Sequence, residues 1–388
     1  MQPEPERAGA LALARAQTDE LFTIVRGDSL YERPIPERHR IIFYLGHLEA
    51  FDWNLIARDT LGRGSFHPAF DQLFAFGIDP DSSGLPQDGP GDWPAVEEVL
   101  AYNREVRARL EPLLPQAPAE RIHVALEHRL MHAETFAYML HQLPYGRKRA
   151  PEGTAPAASG PPPAARMQEI PAGTAVLGRR REEGFGWDNE FEAHAVEVPA
   201  FAIGKHKVTN GDYLEFVRAG AAAPHFWRER PGGWVYAGMF QEIPLPLDWP
   251  VYVTEREAEA YARWKGKSLP TEPQFHRAAY VGPPEAGGNF DFRHWDPVPV
   301  SGAAENRYGV TQMVGNGWEW TSTVFHPFPG FQPFAFYPGY SANFFDGEHY
   351  VLKGGSARTA ACLLRASFRN WFRPWYPYVY ATFRLVEN

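Results

Sequence analysis

His128 and His132 stand four residues apart in a stretch, 119–142, that reads as helix. At about 100° per residue the pair projects from one helical face a turn apart, where both imidazoles can hold one divalent ion. His47 lies in a second stretch with helical spacing, 38–58, and facing helices of a bundle are where such sites are assembled. Three neutral imidazoles suit iron, zinc, copper or nickel better than magnesium or calcium. Glu134, two residues beyond His132, projects to roughly the opposite side of its helix, so a supporting role is expected of it rather than ligation. The chain has 14 histidines, and a pair at this spacing also arises on solvated helix faces. The third histidine, on an apolar-faced helix, brings the metal reading level with that one.

The elements that must position these residues are legible in outline. Apolar residues at Ile41, Tyr44, Leu48, Phe51 and Leu55 describe one face of an amphipathic helix. A helix is expected to start near Asp92 as N-cap, with Pro94 close behind, and another to end before Pro144 and Gly146. With a helix near 11–26 these make a four-helix bundle over 1–148. Residues 149–166 are rich in Pro, Ala and Gly and read as a semi-rigid linker. Beyond it, 167–388 reads as an α+β domain in which loops dominate. Its expected strands are 175–177, 197–203, 350–353 and 381–386, and its expected helix is 255–265.

Composition excludes several classes. Hydrophobic residues make up 44% and charged residues 22%, enough apolar material for real cores. A net charge of −9 leaves no basic footprint for nucleic acid or an anionic membrane. The short basic runs 147–149 and 179–181 read as solvated surface. Cys362 is the only cysteine, so an intramolecular disulfide and a Cys-based zinc site are both excluded. The N-terminal residues do not read as a secretory signal, and no run has the roughly 18 apolar residues of a spanning helix, so a cytoplasmic location is expected.

Two sets of motifs resemble known families. His128-Arg-Leu-Met-His132-Ala-Glu134 resembles the HxxxHxE signature of DinB-like four-helix bundles. Ile170-Pro-Ala-Gly173, Lys207-Val-Thr-Asn210, Tyr261-Ala-Arg-Trp-Lys-Gly-Lys-Ser-Leu-Pro-Thr-Glu272, Met313-Val-Gly-Asn-Gly-Trp-Glu-Trp320, Lys353-Gly-Gly-Ser356 and Phe383-Arg384 resemble the formylglycine-generating-enzyme fold, a C-type-lectin-like α+β domain with little regular structure. The pairing of the two is similar to the ergothioneine-synthase family of iron-dependent sulfoxide synthases, which use O2 to join a thiol to C2 of hercynine. A formylglycine-generating enzyme needs paired cysteines, which one Cys cannot supply. The resemblance implies Fe(II) held by His47, His128 and His132, with O2 as co-substrate. It implies that Asn370 and Trp371 meet the trimethylammonium of hercynine, in line with cation–π attraction. It further implies an active-site tyrosine, for which Tyr337 and Tyr340 are the candidates and Tyr340 the preferred one. Enclosure between the two domains is expected to keep water out. A structural Ca2+ in the loop 306–319 is a further expectation.

The chain departs from that pattern at the donor side. Sulfoxide synthases that use γ-glutamylcysteine carry an Asp after the Asn-Trp pair and an Arg four residues later; here these are Phe372 and Tyr376. Each lost charged hydrogen bond is worth about 1.5–3 kcal/mol. Met131 replaces a Gln of the relatives. The aromatic stretch that includes Phe372, Trp375 and Tyr376 fits an uncharged ring better than a zwitterionic peptide. This looks like the selenoneine synthase branch, which joins hercynine to a selenosugar. The rival within the class is a sulfoxide synthase acting on cysteine or another thiol. Outside it stand a non-catalytic ligand-binding protein and, less favoured, a zinc hydrolase.

Overall fold

The computed structural model describes residues 4–78, 85–280 and 288–387, and it divides into two compact units, Met1–Glu152 and Gly153–Asn388. The first unit is helical: α1 (Glu4–Ile24), α2 (Ile41–Asp52), α3 (Pro68–Phe76), α4 (Val96–Leu110) and α5 (Ala119–His141). Helix α1 packs on α5, and α2 packs on α3, α4 and α5. Being central, α2 is buried almost all round rather than along one stripe. It also begins at Ile41 and passes into a π-helical segment, Trp53–Thr60, instead of running unbroken over 38–58.

Burying α2 takes two carboxylates, Glu49 and Asp52, into the core, and cations from three other helices meet them. Arg129 of α5 lies 2.7 Å from Asp52 and 3.0 Å from Glu49. Arg15 of α1 and Arg107 of α4 complete the set, 3.3 and 2.7 Å from Glu49. Buried charges are tolerated only when paired in this way.

Two expectations for this unit are corrected. Asp92 does not cap α4; its carboxylate accepts the Gly89 amide, while Glu98 accepts the Ala95 amide at the true helix start. Lys148 is buried, not solvated, because its ammonium donates to the Leu140 and His141 carbonyls left over at the C-terminus of α5.

The second unit is built from short strands on several small sheets. Its elements are β1 (Met167–Ile170), β2 (Gly173–Leu177), β3 (His194–Val198), β4 (Phe201–Gly204), α6 (Asn210–Arg218), β5 (Trp227–Arg230), β6 (Gly233–Ala237), β7 (Glu242–Pro244), α7 (Glu255–Trp264), α8 (Glu272–Ala279), β8 (Trp318–Val324), β9 (Tyr350–Lys353), β10 (Asn370–Phe372), β11 (Ala381–Thr382) and β12 (Val386–Glu387). The sheets run β1-β4-β12, β10-β9-β8-β11, β2-β3 and β5-β6-β7. The three helices share one start signal. Thr209, Thr254 and Thr271 each accept the amide three residues on, and Asp212, Glu257 and Gln274 reach back in return.

The single strand expected over 197–203 is two strands in different sheets. Pro199, which has no N–H for a ladder, lies where the chain leaves β3 to begin β4. The stretch 381–386 is likewise split: β11 pairs with β8 and β12 with β4, and Arg384 is fully buried between them. Its guanidinium lies 3.0 Å from both oxygens of Glu319 and donates to the carbonyls of Gly204, Lys205, Thr311 and Gln312. Lys207 is the second cation on Glu319. Ile170, Leu177, Ile203, Phe275, Met313 and Val386 form the adjoining apolar core.

Among the described residues no helix is long and apolar enough to cross a membrane. Because Arg384 joins three segments through one buried ion pair, Arg384→Met is expected to cost about 3–5 kcal/mol, read as an earlier urea transition of the second unit.

Candidate functional site

The three histidines meet. His128 and His132 lie one turn apart on α5 with ring centroids 4.5 Å apart, and His47 of α2 lies 5.2 and 4.9 Å from them. One nitrogen from each falls within 4.8 Å of the others. Aromatic rings fix the imidazole planes: Phe51 stacks on His128 at 3.5 Å, Phe43 stacks on His47 at 4.8 Å, and Tyr44 sits 5.8 Å from His132.

His47 is oriented further by the backbone of α3, its Nδ1 lying 2.7 Å from the Phe74 carbonyl oxygen. That nitrogen must be the donor, which leaves Nε2 as the base. Helix α3 was not foreseen, although His67-Pro68 is a legible start, with Pro at N1 and the His67 ring accepting the Phe70 amide. Gly46 lets α3 approach: a Cβ there would lie 2.5 Å from the Phe74 ring.

Burial holds the cluster neutral. His47 is pushed down to about 4, by desolvation first, with the Phe74 bond opposing and His39 and Arg129 adding to the fall. His128 is driven well below its usual range by burial, then by His132 and His47, then by Arg129. His132 follows for the same reason, burial first, then His47, Arg38 and Arg129. Each imidazole is therefore an unprotonated base at neutral pH, as a metal ligand must be. The Nδ1 atoms of His128 and His132 are buried with no hydrogen-bond partner, which costs about 1–3 kcal/mol apiece unless something else takes up the imidazoles. The donor set thus fits a divalent transition metal, and three protein ligands leave positions open for small molecules. Glu134 is buried and lies outside the cluster. Met131, half-buried, is on α5 between the two histidines.

In the second unit, β10 carries Asn370 and Trp371 beside β9. Trp371 is half-buried, stacked on Phe325 at 4.3 Å, with the rings of Tyr340 and Phe344 each 5.5 Å away. Tyr340 in turn lies flat on Trp187 at 3.9 Å, and Tyr337 is 5.7 Å from Tyr340. Burial, and then the charge of Asp188, push the Tyr337 phenol above its ordinary range. Asn370 Oδ1 accepts the Trp371 amide.

Phe372 and Tyr376 stack at 5.3 Å and 16°, and the ring series continues through Tyr378 to His225. Burial, then Arg228, lower His225 to about 4, so it is a neutral ring. No local signal marked His225, which joins this wall only through folding. Trp375 lies apart at the surface, 43% exposed beneath the guanidinium groups of Arg256 and Arg373. In the loop 306–319, Asn306 donates to Ala278 and accepts the Tyr308 and Val310 amides, while Asn316 bonds Val298 and Gln312.

The metal geometry generates two expectations. His128→Ala, assayed by metal analysis after loading with Fe(II), should lower affinity for the ion by well over about tenfold. Gly46→Ala should weaken it by about 10–100-fold without touching a ligand, because α3 must withdraw and take the Phe74 carbonyl from His47.

Comparison with known proteins places the chain. The model for the DinB superfamily matches residues 10–143, and that for the sulfatase-modifying factor enzyme 1-like domain matches residues 154–388. The chain is 33% identical to the hercynine oxygenase of Mycolicibacterium smegmatis, over 98% of this chain and 98% of that protein. It is also 33% identical to the hercynine oxygenase of Mycolicibacterium thermoresistibile, over 86% of this chain and 83% of that one. Ergothioneine biosynthesis protein 1 of Neurospora crassa is 26% identical over 93% of this chain, which spans only 55% of that relative's length. With a DinB helical domain joined to a sulfatase-modifying factor enzyme 1-like domain, the chain belongs to the family that includes the hercynine oxygenases.

Proposed function

We propose that this protein is an Fe(II)- and O2-dependent oxidoreductase that joins a chalcogen nucleophile to C2 of hercynine, with a selenosugar as the donor and a C–Se bond as the outcome. The observation that carries the reading is the buried cluster of three neutral imidazoles in a chain 33% identical to a hercynine oxygenase over 98% of its length. His47, His128 and His132 would hold the iron. When bound, the metal supplies the redox chemistry that couples O2 reduction to oxidation of the chalcogen.

The other residues bind and orient. The half-buried face of Trp371 takes the trimethylammonium group, which has no N–H to donate and so is held by cation–π attraction. Asn370 adds a polar contact. Forming the C–Se bond releases the hydrogens of C2 and of the selenol as two protons and two electrons, which O2 takes up. Tyr340, with Tyr337 behind it, is the donor that passes a proton to the reduced oxygen. Phe372 and Tyr376, stacked and uncharged, offer the donor a flat apolar wall, and Met131 stands on α5 between the metal ligands His128 and His132. This wall favours the sugar over a zwitterionic peptide, whose ammonium and carboxylates would find no partner in these two side chains.

A second reading, a sulfoxide synthase acting on cysteine or another thiol, draws on the hercynine oxygenase relatives. Incubating the Fe(II)-loaded protein with hercynine and each donor under air, followed by mass spectrometry, separates the two. Turnover of the selenosugar and not of cysteine or γ-glutamylcysteine is expected; turnover of the thiols alone would end the selenosugar reading. Trp371→Ala should raise KM for hercynine about 5–30-fold, the equivalent of a cation–π contact of about 1–2 kcal/mol, and leave iron content unchanged.

A further inference from the structure

Residues 187–190 have no part in the function as described, yet they touch both pieces of the aromatic site. The Asp188 carboxylate is fully buried; its Oδ1 accepts the Ser341 hydroxyl at 2.6 Å, the Phe334 and Asn189 amides are further donors to the group, and its Oδ2 is left without a partner. Phe334 and Ser341 are the two ends of the loop that carries Tyr337 and Tyr340. The loop between them is a series of turns, with the Tyr337 amide donating to Phe334 and the Tyr340 amide to Tyr337. Next to Asp188, the Trp187 ring lies flat on Tyr340 and meets Tyr337 edge-on at 6.5 Å. Two residues on, buried Glu190 accepts Ser367 at 2.6 Å and Arg365 Nε at 2.7 Å, just ahead of Asn370 and Trp371. Glu190 also accepts the Trp187 amide, so the segment is braced against itself.

We infer that Asp188 is a positioning residue for the tyrosine loop, clamping both of its ends so that the phenol hydroxyls keep a fixed place beside the Trp371 face. The inference rests on the proposed roles of the tyrosines and of Trp371. Burying a carboxylate costs several kcal/mol, and the bonds that offset it here reach both loop ends as well as the neighbouring Asn189. An apolar side chain would pack as well but could not hold an amide and a hydroxyl together. Glu190 anchors the same segment to the strand side, which gives the clamp a fixed base.

The test uses Asp188→Ala, Asp188→Asn and Ser341→Ala in the full chain, with Tyr337→Phe and Tyr340→Phe alongside. Hydrogen exchange is read by mass spectrometry, and kcat and KM are measured with hercynine. The alanine variants should exchange faster over 334–341 while the first unit stays as in wild type. Their kcat should fall about 10–100-fold, the range a loss of alignment near 1 Å produces, with KM for hercynine within about twofold. Asp188→Asn, which keeps an oxygen for the Ser341 hydroxyl, should regain most of the loss. Should Asp188→Ala fail to fold, Ser341→Ala decides alone. Wild-type exchange and kcat in both alanine variants, while a tyrosine variant is slow, would overturn this inference and spare the proposed function. An equal fall in kcat, affinity and thermal stability with no rescue by Asn would mean ordinary structural support, and it too would overturn the clamp. Unchanged kcat in both tyrosine variants would remove the tyrosine roles and the clamp with them.

Discussion

Desolvation of three imidazoles is the constraint on which the first unit turns. A histidine left in water is protonated part of the time near pH 6.5; buried among Phe43, Tyr44 and Phe51, each of these three stays neutral. The requirement explains why α2 is buried on every side. It also explains the ion network just beyond the cluster, since a helix sunk that deep carries Glu49 and Asp52 down with it and Arg15, Arg107 and Arg129 must meet them. Arg129, adjacent in sequence to His128, serves both purposes: it neutralises the two carboxylates and helps keep the imidazoles from protonating.

The second unit solves a different problem with the same material. Its strands are too short to bury much by themselves, so aromatic rings and buried ion pairs hold its loops. The rings from Trp187 through Tyr340 to Trp371 and Phe325 form one contiguous set. Glu319 with Lys207 and Arg384, and Glu272 with Arg369, pin the segments that flank it. A rigid aromatic face costs little conformational entropy when a ligand arrives, which suits the proposed recognition of a quaternary ammonium.

What could be read from the sequence follows from the range of the interactions. The His128–His132 spacing is local, and α1, α2, α4 and α5 are each twelve residues or longer, so these were legible in sequence, whereas the nine-residue α3 was not. The Thr209–Asp212 and Thr271–Gln274 capping boxes were equally local, yet α6 and α8 went unread because short helices of eight or nine residues leave little periodicity. Breaks in apparent strands were hidden for another reason: 197–203 and 381–386 look continuous in hydrophobicity, and only pairing with distant partners divides them. The Phe74 carbonyl on His47, the ring of His225 beside Tyr378 and the hold of Asp188 on the tyrosine loop depend on contacts between residues far apart in the chain. No window of sequence contains them.

X-ray absorption at the iron edge of the Fe(II)-loaded protein tests the central claim most directly, because it reads the ligands without relying on any substrate. The account predicts outer-shell scattering from three imidazole rings, lost stepwise as His47, His128 and His132 are replaced. A spectrum with fewer than three imidazoles, or one that these replacements leave unchanged, would contradict it.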